Sequence, residues 1–441
     1  MPNINRVRLA TWRDRFASAK AKRDTAEAEN EWTLCKDIYN REHWKGISTT
    51  YQQLTFNICK TIIDIMRDAT YYRNPTFKFS TFDSPKKEIV MTYEKAFPTI
   101  LRKIRYKQQT KLALLDALKY GFGYKYNGFS QAGERGNDAI KPNEIFSIWV
   151  PHDKVWLDPD ASGLWDANFL FYQVSVPFRE FIKNEAYDIP KDAKPTGVSP
   201  LKSYFGENSG YRIKDDKDFD MVELIHVFDR GEGTHRIFVE GNENLSSYSN
   251  WVYKSKEWPL GDCNLFPINM LRLNENGLYP SGMLVELIDP NIEYNKMESM
   301  KLNHAKRFNR KYQSNKKLDK KERDQLAAGE DGIVIEFDDP ETRIDPILDA
   351  DLTPAVYHSA QDMVDLMMKL ARTSEFNMGA TSTGETTATE ATYVQQGASL
   401  GIDYVKDLIS DFCQQDAEIL TQLIKENYED ERGFEILGEC V

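Results

Sequence analysis

Residues 377–412 read NMGATSTGETTATEATYVQQGASLGIDYVKDLISDF, a polar Gly/Thr loop (377–386) that runs into a long helical signature. Thr387 and Glu390 have the spacing of a capping box, in which threonine oxygen and glutamate satisfy orphan N–H groups at a helix start. Ala391, Val394, Ala398, Ile402, Val405, Ile409 and Phe412 then recur at intervals of three and four, one apolar stripe on one helix face. At about 1.5 Å per residue, a helix over 388–428 spans roughly 60 Å. A long core helix is the plain reading. Gly397, Ala398 and Gly401 favour close contact with neighbouring helices, including those of other subunits.

Upstream of the loop lie two helical segments. The first, 281–308, is expected to restart at Asp289-Pro290, because proline is accommodated at a first helical position; Met297, Met300, His304 and Phe308 share one face. The second, 352–376, opens on Thr353-Pro354 and carries Ala360, Met363, Met367 and Leu370 on one side. Between them, 316–328 reads as helix and 332–337 (GIVIEF) as strand. Charge changes sign across this insert. Lys301, Lys306, Arg307 and Arg310 are followed by Lys316, Lys317, Lys320, Lys321 and Arg323, and then by acids that include Glu330, Asp331, Asp338 and Asp339. Solvated faces explain most charge runs. The functional reading is a docked partner, or pairing between adjacent copies.

The first thirty residues read as an exposed amphipathic helix, with Arg6, Arg8, Arg13, Arg15, Lys20, Lys22 and Arg23 among acids. A solvated face is its plain meaning and an inter-subunit arm its functional one. Helical patterns continue over 50–67 and 94–119, and at Gly121 the pattern turns strand-like. From 145 to 274 the chain is mainly β: runs at 145–158 and 168–176 flank the turn Asp158-Pro-Asp-Ala-Ser-Gly163. A short helix follows at 177–188, a surface excursion at 189–218, and a meander at 221–228, 235–239, 250–254 and 265–273.

Length allows two or three domains, and 41% hydrophobic with 29% charged residues supports a sizeable core and a soluble exterior. No apolar run approaches the roughly eighteen residues of a membrane span, and the start lacks a secretory pattern. Cys35, Cys59, Cys263, Cys413 and Cys440 are odd in number and far apart, which points to a reducing compartment without a disulfide framework. The net charge of −12 argues against a DNA-coating protein, though not against one that lets DNA pass without gripping it.

Catalytic patterns are missing. There is no G-x-x-x-x-G-K-[ST] phosphate loop, so an intrinsic NTPase motor is not expected. Asp158, Asp160, Ser162 and Gly163 mimic the start of a calcium loop, but its twelfth position is Phe169 and a type I turn is the better reading. His43, His152, His226, His235, His304 and His358 share no metal-ligand spacing. No cofactor, metal or catalytic set is assigned.

The order of these parts resembles the portal (head-to-tail connector) proteins of tailed bacteriophages, from about Leu112 onward. Leu115-Asp-Ala-Leu-Lys-Tyr-Gly-Phe-Gly-Tyr124 is similar to the helix-to-strand transition of the portal wing, and Trp156-Leu-Asp-Pro-Asp160 with the following strand to the next wing segment. The interrupted hairpin resembles stem, clip and stem, and Thr387-Ala-Thr-Glu-Ala391 the start of the helix beyond the tunnel loop. Each motif is short; their shared order carries the resemblance.

The resemblance implies an α+β, portal-like fold: a wing at 1–280, stem helices at 281–308 and 352–376, and a small α/β clip at 309–351. A tunnel loop at 377–386, a long wing helix at 387–428 and a short tail at 429–441, with the crown reduced or absent, complete it. It further implies a non-enzymatic ring, usually of about twelve copies, assembled in the host cytoplasm and built into one capsid vertex beside the major capsid protein, with no membrane. Double-stranded DNA would pass through its channel during packaging and ejection, driven by the terminase large subunit. Asn377, Gly379, Thr381, Ser382, Thr383, Gly384, Glu385 and Thr386 would line the tunnel loop. Lys316, Lys317, Lys320, Lys321, Arg323, Glu330, Asp331, Asp338 and Asp339 would dock terminase and then head-completion or adaptor proteins. Lys301, Lys306, Arg307 and Arg310 would form basic rings in the stem or pair with acids of the next copy. The alternatives are a hydrolytic enzyme with its site in the β-rich middle, around Asp158 and Asp160, and another phage ring or adaptor protein.

Overall fold

The computed structural model describes residues 4–46, 52–80, 87–130, 143–198, 220–241, 248–255, 258–261, 264–274, 277–307, 312–328, 341–347, 354–372 and 388–428. Its elements make an α+β fold. In chain order they begin α1 (Ile4–Glu29), α2 (Trp32–Tyr39), α3 (Ile58–Thr70), α4 (Lys87–Lys103) and α5 (Tyr106–Tyr120). The β-rich middle holds β1 (Phe122–Ser130), β2 (Glu144–Val150), β3 (Val155–Leu157), β4 (Phe169–Pro177), α6 (Phe178–Lys183), β5 (Gly197–Val198), β6 (Asp220–Asp229), β7 (Thr234–Val239), β8 (Tyr253–Ser255) and β9 (Ile268–Arg272). Then come α7 (Met283–Arg307), β10 (Tyr312–Ser314), α8 (Lys320–Ala328), β11 (Ile344–Pro346), α9 (Pro354–Leu370) and α10 (Ala388–Asn427). Two compact units result: Met1–Cys35, Ile63–Val285 and Thr381–Val441 in the first, Lys36–Ile62 and Glu286–Ala380 in the second.

The first unit is layered. At the α5–β1 junction Gly121 adopts a left-handed φ of 95°, and a Cβ there would meet Pro280 O at 2.1 Å. A Cβ on Gly123 would meet Ala113 O at 2.0 Å, so only glycine lets the strand return this close beneath α5. β1 then pairs antiparallel with β2 and β9 in the order β2-β1-β9. Alternation along β1 sends Lys125 toward α5 and α10, while Tyr126 faces Tyr172 of β4 at 5.3 Å on the other side. β4 belongs to the antiparallel sheet β3-β4-β6-β7-β8, which β5 extends beside β6.

α1 covers the far face of that second sheet. Trp12 meets Phe169 edge-on at 5.5 Å, and Phe16 meets Trp156, Phe171 and Phe238 at 5.0, 5.2 and 6.0 Å. Burying Leu9, Trp12 and Phe16 contributes on the order of 5–8 kcal/mol as an upper bound. The N-terminal helix is amphipathic as expected, with Arg15, Lys20 and Lys22 on an exposed face, but its apolar face is buried in the core. Its arginines clamp it down: Arg13 donates to the carbonyls of Val239 and Tyr248, and Arg23 to that of Asp153. Arg15 stacks on Trp12 at 4.6 Å and Arg23 on Trp156 at 4.9 Å. A guanidinium can cap a buried aromatic with its plane while its edge reaches backbone oxygen, which is how Arg23 lies buried on this helix.

Three helix boundaries also differ from the sequence reading. The 94–119 pattern is two helices, broken where Arg105 turns left-handed at φ 53°. The helix expected from residue 50 starts at Ile58, capped by Asn57, whose side-chain oxygen accepts the Lys60 N–H at 3.0 Å. And α7 runs unbroken through Pro290 rather than restarting there. Proline removes one donor from that turn, but buried Leu287 and Asn291 hold the helix on either side of it.

In the second unit, Asn291, Asn295, Ser299 and Asn303 stand four apart on one face of α7. Their side-chain oxygens accept, in turn, the N–H groups of Ile58, Phe56, Leu54 and Gln52 at 3.0, 2.8, 2.8 and 3.1 Å. The amides of Asn291 and Asn303 return hydrogen bonds to the Phe56 and Gln52 carbonyls. Two extended residues advance about 6.6 Å and four helical ones about 6 Å, so the periods match and 52–58 is strapped along the helix. This polar face holds 52–57 extended by taking the N–H groups of Gln52, Leu54 and Phe56. Met300, expected on an apolar face, is 51% exposed. β10 and β11 form a two-stranded ladder that the sequence reading did not include. α8 opens four residues later than expected, where the Asp319 N–H donates to the Glu322 carboxylate at 2.7 Å.

Candidate functional site

Among the expected docking residues, Lys316, Lys317, Lys320, Lys321 and Arg323 are all exposed, within eight positions around the start of α8. Asn315 fixes this segment: its oxygen accepts the Arg343 N–H and its amide donates to the Glu341 carbonyl, both at 2.9 Å, extending the β10–β11 ladder by one step. Lys316 pairs with Glu341 at 3.3 Å. Glu330, Asp331, Asp338 and Asp339 lie outside the described residues, as do the 332–337 segment, Arg310, and the loop residues Asn377, Gly379, Thr381, Ser382, Thr383, Gly384, Glu385 and Thr386. Lys301 is bound within its own helix, to Glu298 at 2.7 Å. Lys306 and Arg307 fall in the last turn of α7, with their side chains outside the description. Thr387 lies outside the described residues and Glu390 falls in the first turn of α10 with its side chain outside the description, whereas Ile402, Val405, Ile409 and Phe412 of the stripe are buried.

The β-rich middle holds a cavity of ≈ 620 Å³, whose lining includes Asp158, Asp160, Asp229, Glu232 and Arg15. Asp158 is buried there, but its oxygens are occupied. Oδ1 accepts the Asp160 N–H at 3.3 Å, and Oδ2 accepts the backbone and side-chain N–H of Asn168 at 3.2 and 3.1 Å. The Ala161 N–H donates to the Asp158 carbonyl at 3.1 Å, closing a turn. Asp158 is therefore a staple of the 158–168 loop, while Asp160 points into solvent. This geometry does not present the two as a matched acid and base. Among the described residues no cluster of His, Cys, Asp or Glu could hold a metal ion.

Buried thiols fit a structural role. Cys35, Cys59 and Cys413 are buried thiols in no disulfide, and burial pushes the Cys35 thiol up to about 12 and the Cys413 thiol to about 11. Among the described residues no helix is long and apolar enough to cross a membrane.

A buried ionic network fastens α10 to the body, and the sequence reading missed it. Asp416 and Lys125 are both fully buried, with Lys125 Nζ at 2.7 Å from Asp416 Oδ2. Tyr106 donates its hydroxyl to the same oxygen at 2.9 Å, and the amides of Asn127 and Asn269 donate to Oδ1 at 2.8 and 3.1 Å. The ammonium also donates to Thr110 Oγ1 at 3.0 Å and sits 3.4 Å from the Tyr106 ring centre. Burial pushes Lys125 below the usual lysine range, against the pull of Asp416. One signal was legible: Asp416 stands four residues beyond Phe412, continuing the apolar stripe, where a carboxylate demands a partner.

A search of curated proteins returns no match. The family profile described as "Phage P22-like portal protein" matches residues 13–440, nearly the whole chain. The match begins within α1, runs through both sheets and the α7–α9 segment, and extends past the end of α10. The chain belongs to the phage P22-like portal protein family.

Proposed function

We propose that copies of this chain close into a ring, of about twelve, at one vertex of the phage capsid, where the ring is the channel for genome packaging and ejection. The family match across 13–440 carries this reading. The family is structural rather than enzymatic, and translocation would be driven by a separate terminase. In this reading 1–280 and the helix at 387–428 form the wing, 281–308 and 352–376 the stem, and 309–351 the clip. The exposed bases Lys316, Lys317, Lys320, Lys321 and Arg323 suit the clip to an acidic partner surface, on terminase during packaging and on a head-completion protein afterwards. The loop Asn377–Thr386 would face the passing duplex with one charge, Glu385, touching it by polar and steric contact rather than by phosphate pairing. The test is genetic and physical: capsids assembled without this chain should contain no packaged genome, and supplying it should restore filling. Capsids that fill to the wild-type level without it would overturn the assignment.

A further inference from the structure

α2 ends in a turn where Arg41 takes a left-handed φ of 75°, a conformation uncommon in residues other than glycine. Backbone bonds hold the turn: the Arg41 N–H donates to the Ile38 carbonyl at 3.0 Å and the Glu42 N–H to that of Asp37 at 2.8 Å. Two residues beyond Arg41, His43 is buried against α7, only 3% exposed. The amides of Asn291 and Asn295 lie 3.1 and 3.3 Å from its Nδ1. These are two of the asparagines that hold the extended strap 52–58 on the same helix.

The strap's backbone decides which way both amides face. Asn295 Oδ1 accepts the Phe56 N–H, and Asn291 Oδ1 accepts those of Ile58 and Cys59 at 3.0 and 3.3 Å; an N–H can meet only the oxygen end of an amide. Both NH2 ends are therefore turned to His43, whose Nδ1 must offer a lone pair and whose proton sits on Nε2. Among the described residues Nε2 has no hydrogen-bond partner. The segment around His43 also grips the strap directly. Trp44 Nε1 donates to the Leu54 carbonyl at 3.1 Å, and the Asn57 amide donates to those of Ile38 and Tyr39 at 2.9 and 3.1 Å.

We propose that His43 is a proton-operated latch: neutral, it holds the strap 52–58 on α7, and protonated it lets the strap go. A proton on Nδ1 would face two donors and no acceptor. Turning either amide would relieve that clash but set its NH2 group against the N–H groups of the strap, so a charged ring fits only with the strap released. The surroundings favour the neutral ring. Burial lowers His43 below its usual 6.5, and the positive Arg41 adds to the effect. The other charges nearby are engaged elsewhere: Asp37 and Glu42 pair with Lys45, Lys60 lies over Tyr39, and Glu293 of α7 pairs with Lys296. Cys59 donates its thiol to the Leu287 carbonyl, and the strap itself, Gln52 to Ile58, carries no charged side chain. All parts of the latch lie in one compact unit of one chain, so it goes beyond the ring reading and does not depend on it.

The test follows two signals in the full chain across pH. Amide hydrogen exchange, corrected for its intrinsic pH dependence, reads the strap; deuteration of the His43 ring at C2 reads its titration. As pH falls through 6.5 to about 5.5, above the isoelectric point of 5.2, the amides of Leu54, Phe56 and Ile58 should lose up to about ten-fold in protection. The released state takes up a proton near the usual value that the latched state refuses, and the strap should open in step with the ring. Amides of β1 should keep their protection. His43→Asn sets a carbonyl oxygen where Nδ1 stood, an acceptor that does not titrate, so its strap should stay protected throughout this range. Strap protection that is constant with pH in the wild type, a His43 ring that titrates while the strap stays closed, or a His43→Asn chain with the wild-type slope would each overturn the latch. Should His43→Asn fail to fold, the paired ring and strap readings of the wild type decide alone.

Discussion

Replacing Asp416 by alanine should loosen α10 from the sheet beneath it, and the size of the effect follows from the network. The change strands the Lys125 ammonium in a site without solvent and removes the acceptor of Tyr106, Asn127 and Asn269. Breaking one side of a buried ion pair costs about 3–5 kcal/mol. Lys125→Met should cost somewhat less, about 3 kcal/mol, because the carboxylate keeps three neutral donors. The combination Lys125→Met with Asp416→Ala removes both charges, so it should fall short of the sum of the single costs by about 2–3 kcal/mol. Urea unfolding followed by far-UV circular dichroism, at concentrations below assembly, measures all three. A double variant equal to the sum within about 0.5 kcal/mol would refute the reasoning, as would an Asp416→Ala cost below about 1 kcal/mol.

Other expectations concern different parts of the chain. Asn295→Ala leaves the Phe56 N–H without its acceptor and should cost about 1–3 kcal/mol, with faster amide hydrogen exchange at 54–58; unchanged exchange there would contradict the strap. His226 Nδ1 and His235 Nε2 lie 3.1 Å apart, and burial lowers His226 to about 4 and His235 well below its usual 6.5. The unfolded chain therefore takes up protons that the folded one refuses, so stability present above pH 6.5 should be lost as pH falls toward 4, by up to about 3 kcal/mol for His226. Asp116, raised to about 6 by burial, works in the opposite sense, its contribution being full below about 3.8 and lost as pH rises through 6. His226→Gln should accordingly flatten the acid slope of the unfolding free energy, and an unchanged slope would refute the assignment. Deleting 379–384 should leave ring assembly intact while impairing DNA packaging or retention; loss of the ring would make that loop structural instead.

Periodic apolar residues were legible in the sequence. The stripe at Ile402, Val405, Ile409 and Phe412 became a buried helix face, and the Gly121-Phe-Gly123 transition became the tight turn beneath α5. What escaped were features that depend on partners distant in sequence. The Asn291, Asn295, Ser299 and Asn303 series has helical spacing, but polar residues at that spacing read as a solvated face until an extended segment supplies their donors. The buried side of α1 escaped for the same reason: Arg13 and Arg23 look solvent-seeking until Trp156 and the carbonyls of Val239, Tyr248 and Asp153 meet them. The loop and clip assignments came from the order of motifs, and the family match over 13–440 locates neither them nor the docking surfaces.

The central claim is a closed ring with an open bore. Native mass spectrometry of the purified chain, combined with negative-stain imaging of the same sample, tests it most directly. The account predicts a single closed species near twelve copies of a 51.0 kDa chain, with a stain-filled central hole. A species that remains one copy at high concentration, with no ring in any view, would contradict it.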